Sequence, residues 1–393
     1  MNLYFFTEAR FLEKDNIVYS HAGFSYDLWQ RYLLKFDHVY VVGRLTKVSK
    51  IEGRMEANTS PDVTFIGLPY YIGPMGYFRK RAAICKRIKE IIHPNDAYLC
   101  RVPGRIGTIA ASIMKSRNIP YAVEVVGDPE EALSKTALGG NVIAPLYQYF
   151  GIKDLKRNVE GAQAALYVTN HTLQKKYPVQ DGVFTTSASN VILNDEHFTP
   201  KGPAVRKDWN GAALKMLAVG TLAQLYKAPD IVLKALARVK KKGYNFLLTW
   251  CGEGQYLKPM QDLAGSLGLR ENVSFVGQVN MQAIRQYLSE SDLFIHASRA
   301  EGLPRAVIEA MAMGLPCIGS RVAGIPELLS EDALVNADDI DGLAEKIILF
   351  IQNPKLAQEN AERNFNEAKL YHNDILTSRR LEFFEEIKRI SSN

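Results

Sequence analysis

Short apolar runs of strand length alternate with amphipathic runs of helix length along most of this chain, and this alternation limits the fold more than any other feature. One series of apolar runs extends from residues 3–6 to residues 165–169, and a second extends from residues 214–219 to residues 317–320. Strands that alternate with helices predict parallel sheets covered on both faces. We therefore expect an α/β protein with two doubly wound domains.

A segment rich in turn-forming residues separates the two series. It covers residues 199–211, where proline and glycine favour a linker. The chain has 393 residues, which exceeds the usual size of a single hydrophobic core. We predict a first domain over residues 1–200, a second over residues 201–370 and a terminal helical segment over residues 371–393.

Cysteine usage and hydropathy predict a cytoplasmic protein. The four cysteines show no metal-ligand spacing, so we expect reduced core residues. We expect no leader before the first strand, and no uncharged apolar run approaches the roughly 20 residues that a membrane span needs. The net charge is +6, and its excess lies in residues 1–196. That excess favours contact with phosphate-bearing lipids or acidic glycans, although a solvated surface of this charge is also common.

Residues 78–89 predict a basic amphipathic helix. Its apolar positions Phe78, Ala82, Cys85 and Ile88 recur at helical spacing. The opposite face carries six cations: Arg79, Lys80, Arg81, Lys86, Arg87 and Lys89. Such a helix can lie peripherally on an anionic membrane that carries a lipid-linked acceptor. Alternatively, the helix packs on the sheet and its basic face is merely solvated.

Two glutamates mark a strand–loop–helix–strand unit in the second series. Pro304 suits the first helical position and Gly314 suits the left-handed residue after the end, which predicts a helix over residues 304–313. Its N-terminus would follow the carboxyl end of a strand, where free backbone N–H groups can hold a diphosphate. Glu301 lies in the loop before the helix and Glu309 lies inside it, so both carboxylates can face one pocket.

This unit resembles the signature of family four of the retaining nucleotide-sugar glycosyltransferases. The likeness consists of the E-x7-E spacing of Glu301 and Glu309, followed by Gly-x-Pro sequences that begin at Gly314 and Gly324. It implies the GT-B fold, in which two Rossmann-like domains face each other across an interdomain cleft. The first domain would bind the acceptor and the second the donor. The terminal helix would cross back to the first domain.

The resemblance also implies roles for the acids. Glu301 would be catalytic and orient the transferred sugar through its hydroxyls. Glu309 would accept hydrogen bonds from two ribose hydroxyls, since one carboxylate can accept both. The alternative for Glu309 is an i,i+4 ion pair with Arg305 on an exposed helix face.

Lys227 resembles the family's diphosphate-binding lysine. Thr221 stands where the family usually has an arginine, and a hydroxyl supplies no charge to the leaving group. Either Lys227 and the helix N-terminus suffice, or Arg299, Arg305 or Arg321 replaces the missing cation.

The remaining donor-binding residues follow from the same resemblance and lie in turns after strands. Gly252 belongs to a G-E-G turn, which taken alone is also ordinary loop punctuation. The main chain around Gln278 would read the base, so the choice between UDP and GDP leaves no side-chain signature. The full donor set is Gly23, Gly220, Thr221, Lys227, Gly252, Gln278, Val279, Gly302, Leu303, Pro304, Arg305 and Glu309.

Acceptor-binding residues are predicted in the first domain. His21 and Ser25 follow the first strand, where a lone histidine is as often structural as functional. Arg101 and Asp128 follow later strands. Glu124 ends a strand and is the candidate for receiving the acceptor's proton.

The resemblance implies a retaining glycosyltransferase, and we expect it to act without a metal or a cofactor. It would move a sugar from a nucleoside diphosphate to a hydroxyl of a glycan or lipid-linked acceptor in bacterial surface polysaccharide biosynthesis, with no nucleic-acid partner. One alternative is a non-catalytic nucleotide-sugar-binding subunit. A nicotinamide-dependent oxidoreductase is disfavoured because no G-x-G-x-x-G follows the first strand.

Overall fold

A computed structural model describes residues 1–20, 23–51, 55–58, 60–133, 144–200, 202–205 and 213–392. The chain divides into two units, each built on its own sheet. Unit 1 comprises Met1–Val126, Gly151–Ala188 and Thr377–Asn393. Unit 2 comprises Gly127–Phe150 and Ser189–Leu376.

The described part of unit 1 contains a nine-stranded sheet. Its strands are β1 (Asn2–Lys14), β2 (Ile17–Ser20), β3 (His38–Lys47), β4 (Glu56–Ala57), β5 (Val63–Leu68), β6 (Ala97–Val102), β7 (Ala122–Val125), β8 (Ala164–Tyr167) and β9 (Phe184–Ser187). The parallel part has the order β5-β3-β1-β6-β7-β8-β9. β2 and β4 form an antiparallel extension on the far half of β1.

Helices flank this sheet. Those of unit 1 before residue 189 are α1 (Tyr26–Leu33), α2 (Gly73–Ile91), α3 (Arg105–Ser116) and α6 (Thr172–Lys176). Two further helices precede residue 189: α4 (Pro129–Ala132) belongs to unit 2, and α5 (Ala144–Glu160) begins in unit 2 and continues in unit 1 from Gly151 onward. Aromatic side chains fill the core between β1, β3 and α1. Trp29 of α1 is fully buried, and its ring meets the ring of Phe5 edge-on, the geometry that aromatic pairs favour.

The described part of unit 2 contains a six-stranded parallel sheet with the order β12-β11-β10-β13-β14-β15. Its strands are β10 (Leu214–Val219), β11 (Phe246–Cys251), β12 (Val273–Gly277), β13 (Leu293–His296), β14 (Cys317–Ser320) and β15 (Leu334–Val335). The strand order reverses beside β10, where such sheets bind ligands. β13 pairs with β14 in parallel, with Phe294 opposite Cys317.

The helices of the second half complete the chain. They are α7 (Pro229–Lys241), α8 (Leu257–Ser266), α9 (Met281–Glu290), α10 (Arg305–Ala312), α11 (Ile325–Leu328), α12 (Ile340–Gln352), α13 (Pro354–Ala368) and α14 (Asn373–Ser392). From Thr377 onward α14 belongs to unit 1. The chain changes unit at Ala188–Ser189 rather than at the predicted residue 200, because Leu193 is buried and its carbonyl accepts a hydrogen bond from the Asn373 N–H within unit 2.

β1 is much longer than the predicted strand at residues 3–6. Asp15 and Asn16 both have positive φ, which forms the two-residue turn of a hairpin between β1 and β2. A buried network then fixes the loop after β2: the Trp29 indole donates to Asn58, whose amide donates to Ser20. Ser20 in turn donates to the Phe24 carbonyl at 2.7 Å.

The predicted apolar face of α2 was wrong. Ile84, Ile88 and Ile91 are the buried positions, whereas Phe78 and Ala82 are exposed. The helix therefore packs through the stripe of Ile84, Ile88 and Ile91, and Phe78 near its start remains exposed at the surface. All four cysteines are free thiols. None of the helices in the described ranges has the length and apolarity needed to cross a bilayer.

Candidate active site

Glu301 lies in the loop between β13 and α10, at the carboxyl edge of the unit 2 sheet. Its side chain is only 9% exposed and forms an ion pair with Lys227. Its Oε1 atom also accepts hydrogen bonds from His296 Nε2 and Ser298 Oγ, each at 2.7 Å. A carboxylate without a proton is an acceptor only, so the imidazole proton of His296 is on Nε2.

Electrostatics keep this carboxylate ionised. Burial alone raises the pKa of Glu301, but the charge of Lys227 and the hydrogen bond from His296 outweigh burial and hold the pKa well below its ordinary value. Burial also lowers the pKa of His296, and the attraction of Glu301 offsets only part of that effect. The cluster therefore contains one carboxylate, one ammonium and one neutral imidazole.

Arg299 fixes the turn that carries Lys227. Its N–H donates to the Tyr226 carbonyl at 2.7 Å, and its guanidinium donates to the Leu225 carbonyl at 2.6 Å. The same guanidinium pairs with both carboxylate oxygens of Asp230, at 2.9 and 2.8 Å. These contacts give Arg299 a structural role in the turn, which disfavours it among the three arginines offered as a replacement for the missing diphosphate cation.

The two other candidate arginines differ from each other. Arg321 is paired with Glu331 at the surface. Arg305 opens α10, is exposed, and has no hydrogen bond or ion pair with any described residue. Of the three, Arg305 has the freedom to meet a ligand at the helix N-terminus.

Glu309 lies one turn further along α10 and is partly buried. Burial raises its pKa, and the charge of Arg305 only partly counteracts that. The alternative of an i,i+4 ion pair with Arg305 does not occur: the Glu309 carboxylate has no hydrogen bond or ion pair with the described residues, and only its backbone is hydrogen-bonded. It borders a cavity of about 10 Å³, room for about one water, lined also by Leu193, His197, Met281, Ile284, Arg285, Leu288 and Met313. A half-buried carboxylate without a protein partner is costly, which is typical of a ligand-binding position.

Pro304 is the N-cap of α10 rather than its first helical residue, because its backbone is extended. The predicted positive φ of Gly314 is found, at 75°. Gly302 and Leu303 lead into the helix, and the Gly302 carbonyl accepts from the Gly324 N–H at 2.9 Å. The first turn of any helix leaves backbone N–H groups without intrahelical partners, so this end of α10 can bind an anion.

Close approach of two loops explains the glycines near Thr221. A Cβ on Gly252, whose φ is 151°, would lie 2.0 Å from the Gly220 carbonyl oxygen. The Thr221 hydroxyl donates to the Glu253 carbonyl at 3.2 Å, so it is engaged within the turn. Gly252 also donates to the Gly277 carbonyl at 2.8 Å, which brings the strand end before Gln278 and Val279 beside these loops.

Glu124 and Arg101 lie side by side on β7 and β6 in unit 1. Glu124 is 2% exposed, and its Oε2 lies 3.5 Å from Arg101 Nη1 and 3.4 Å from the Tyr32 hydroxyl. The Arg101 guanidinium also lies over the ring of Phe24. A base must reach the acceptor hydroxyl, and in this structure Glu124 is buried beside Arg101, so its role as proton acceptor stays a prediction.

The other predicted acceptor residues lie in different structural environments. Asp128 is buried and caps α4 by accepting from the Glu130 N–H at 2.9 Å, so its carboxylate has a structural role that the sequence analysis missed. Ser25 is the N-cap residue of α1. Gly23, which was predicted to bind the donor, has a φ of 98° and is exposed. His21 lies outside the described residues.

Sequence analysis also missed His296 and Ser298. They are two residues apart in an extended segment, so they lie on the same side of the chain. A polar pair at that spacing, beginning at the last residue of a buried strand, was the available signal. Glu131 was missed as well; its carboxylate accepts from the Ala323 N–H at 2.8 Å.

Comparison with known proteins identifies the family. Residues 206–367 match the family described as glycosyl transferases group 1. Protein CapJ of Staphylococcus aureus is 30% identical over 353 residues, which covers 89% of this chain and 86% of CapJ. The chain belongs to the group 1 glycosyltransferases. The amylovoran biosynthesis glycosyltransferase AmsK of Erwinia amylovora is 29% identical to this glycosyltransferase over 174 residues, 40% of the chain and 42% of AmsK.

Solved structures establish the fold class. Sucrose-phosphate synthase from Thermosynechococcus elongatus superimposes with a TM-score of 0.71 at 16% identity, covering 98% of both chains. Anabaena HepE, solved in complex with UDP-glucose, gives a TM-score of 0.63 at 15% identity and covers both chains completely. The predicted α/β fold of the GT-B class is thereby confirmed for this group 1 glycosyltransferase, and the oxidoreductase alternative is set aside.

Proposed function

We propose that this glycosyltransferase transfers a sugar from a nucleoside diphosphate to a hydroxyl of a glycan or lipid-linked acceptor, with retention of configuration and without a metal. The observation that carries the proposal is the pairing of two unlike carboxylates around the start of α10. Glu301 is held ionised by Lys227, and Glu309 lies in the helix without a protein partner. The biosynthetic role named for AmsK supports bacterial surface polysaccharide synthesis, and the HepE complex makes UDP-glucose the first donor to try.

The chemistry follows from where charge develops. Lys227 and the N–H groups at the start of α10 would stabilise the diphosphate as it departs, and Glu301 would orient the sugar. The family resemblance implies retention, with attack from the leaving-group side and with the departing phosphate helping to remove the acceptor proton.

Turnover with a panel of UDP-, GDP- and ADP-sugars tests this proposal, with synthetic glycoside and lipid-linked acceptors. We expect acceptor-dependent release of nucleoside diphosphate that EDTA leaves unchanged, and a product whose anomeric configuration, read by NMR, matches that of the donor. Nucleotide-sugar binding without release would instead indicate a non-catalytic binding subunit. An inverted product would refute retention, and loss of activity in EDTA would refute metal independence.

We also propose peripheral contact with an anionic membrane through the start of α2. Three apolar side chains there are exposed: Ile72 at 68%, Met75 at 66% and Phe78 at 57%. The exposed cations Arg79, Lys80 and Arg81 follow directly. Apolar insertion next to a cluster of cations is the pattern of interfacial helices.

Sedimentation with vesicles tests the membrane contact. The protein should sediment with phosphatidylglycerol vesicles and not with phosphatidylcholine vesicles, and glutamine at the three cations 79–81 should abolish the effect. The matched control places glutamine at Lys234, Lys241 and Lys242, exposed cations of unit 2. Equal losses from both triple variants would show nonspecific attraction instead of a docking surface.

A further inference from the structure

The three donors that hold Glu301 all converge on one oxygen. Lys227 Nζ, His296 Nε2 and Ser298 Oγ contact Oε1. Oε2 has no hydrogen bond or ion pair with the described residues. The carboxylate is therefore fixed through one atom and keeps the other as a free acceptor.

Two anionic groups would compete for the ammonium of Lys227. In the unliganded protein it pairs with Glu301, and in the proposed function it also meets the donor diphosphate. A shift of its ammonium toward phosphate weakens the ion pair at the moment when Glu301 has to hold the sugar. A second anchor for Glu301 that does not respond to phosphate would solve this conflict.

His296 has the properties of such an anchor. It ends β13, its side chain is 3% exposed, and its ring stacks parallel to that of Phe294. A neutral imidazole donates a hydrogen bond but carries no charge that a diphosphate would attract. Ser298 is also held in place, because its backbone carbonyl accepts a hydrogen bond from the Ser320 hydroxyl on β14 at 2.5 Å.

We propose that His296 is a positioning residue: its Nε2–H, assisted by Ser298, holds Oε1 of Glu301 so that Oε2 faces a hydroxyl of the transferred sugar. This inference rests on the proposed function. It assigns to His296 an effect on the chemical step, exerted through Glu301, and no contact with the substrate.

Two substitutions at this position separate positioning from packing. Glutamine places an amide N–H at a reach similar to that of Nε2, whereas leucine fills the space without a donor. We expect His296→Leu to lower kcat by about 10- to 100-fold, the value of a hydrogen bond to a charged group, with a donor KM and UDP affinity changed by less than about threefold. His296→Gln should recover most of kcat.

A control variant accounts for simple destabilisation. Ile295→Val removes a buried methylene from the same strand without touching Glu301, so it should lower the melting temperature and leave kcat unchanged. Equal losses from His296→Leu and His296→Gln, or wild-type kcat in His296→Leu, would overturn the positioning role.

A spectroscopic readout covers the case in which His296→Leu fails to fold. In the wild-type protein without donor, nitrogen NMR of the imidazole should show the neutral Nε2–H tautomer at neutral pH. The Nδ1–H tautomer or an imidazolium would refute the proposal. Absence of sugar transfer by the wild type with every donor would refute the proposed function and this role together, whereas full activity of His296→Leu refutes the role alone.

Discussion

Glu309→Gln is predicted to make the protein more stable and a worse nucleotide binder. The carboxylate is partly buried and has no protein partner in the described structure, so the unliganded protein bears the cost of its desolvation. Glutamine keeps a polar group at this position but removes the buried charge; because Arg305 already offsets part of the cost of that charge, we expect a gain of about 1–2 kcal/mol. In a domain of this size, that gain raises the melting temperature by about 2–8 °C.

The stability gained by Glu309→Gln should depend on pH. Burial raises the folded-state pKa of Glu309 above its ordinary value of 4.5. An acid whose folded-state pKa lies above its unfolded-state pKa contributes stability that is present below the unfolded-state pKa. That stability is lost as pH rises through the folded-state pKa. The wild type and Glu309→Gln should therefore melt alike in acid, and the variant should gain its advantage as pH rises toward neutrality.

Calorimetric melting from acid to neutral pH, with and without UDP, measures both effects. UDP should raise the melting temperature of the wild type more than that of Glu309→Gln, since the ligand's contribution follows its affinity. Glu345→Gln, at an exposed position of α12, is the control and should change neither curve. A lower melting temperature for Glu309→Gln at neutral pH would refute the reasoning, because it would reveal a structural partner for the carboxylate.

Further substitutions test the surrounding loops and charges. Lys227→Met should weaken UDP binding by about 10- to 100-fold in calorimetry, and should move the acid limit of activity to higher pH because Glu301 then protonates more readily. Gly252→Ala should cost about 2–6 kcal/mol in denaturant unfolding, from its clash with the Gly220 carbonyl and its positive φ. Gly268→Ala, with a φ of 69° and open space around it, should cost about 1–2 kcal/mol. Arg305→Ala should weaken UDP, but not uridine, by about two- to fivefold, whereas Arg321→Ala should affect neither.

Some strands of unit 2 could be predicted to the residue, although β15 was not predicted. β10 and β14 have the predicted bounds because each is a short apolar run between turn-forming residues. The far half of β1 was missed because partly exposed polar residues interrupt its apolar pattern. The Asp15–Asn16 turn was the local signal that a second strand returns alongside it.

The apolar face of α2 shows where periodicity alone fails. Residues 78, 82, 85 and 88 fit a helical stripe, and residues 84, 88 and 91 fit another that shares Ile88. Both stripes are consistent with 3.6 residues per turn. Packing on the rest of unit 1 selects the second, and no local feature of the sequence contains that information.

The candidate site was predictable where the sequence resembles a family motif. Glu301 and Glu309 were identified from the E-x7-E spacing and Lys227 from the family resemblance, and Glu301 and Lys227 do meet in the structure. The role of Arg299 in supporting the Lys227 turn depends on contacts across the fold, with the Leu225 and Tyr226 carbonyls and with Asp230. The burial of Glu124 was equally unavailable, since a strand-end acid looks the same in sequence whether it is open or enclosed.

The central claim is that Glu301 acts in the chemical step and Glu309 in nucleotide binding. The most direct test is to measure the kinetics of Glu301→Gln and Glu309→Gln with the identified donor. Glu301→Gln should lower kcat by at least about tenfold and leave the UDP dissociation constant within about threefold of the wild type. Glu309→Gln should raise that dissociation constant by about tenfold or more, with a smaller effect on kcat. Equal effects of both substitutions on binding and on turnover would contradict this claim.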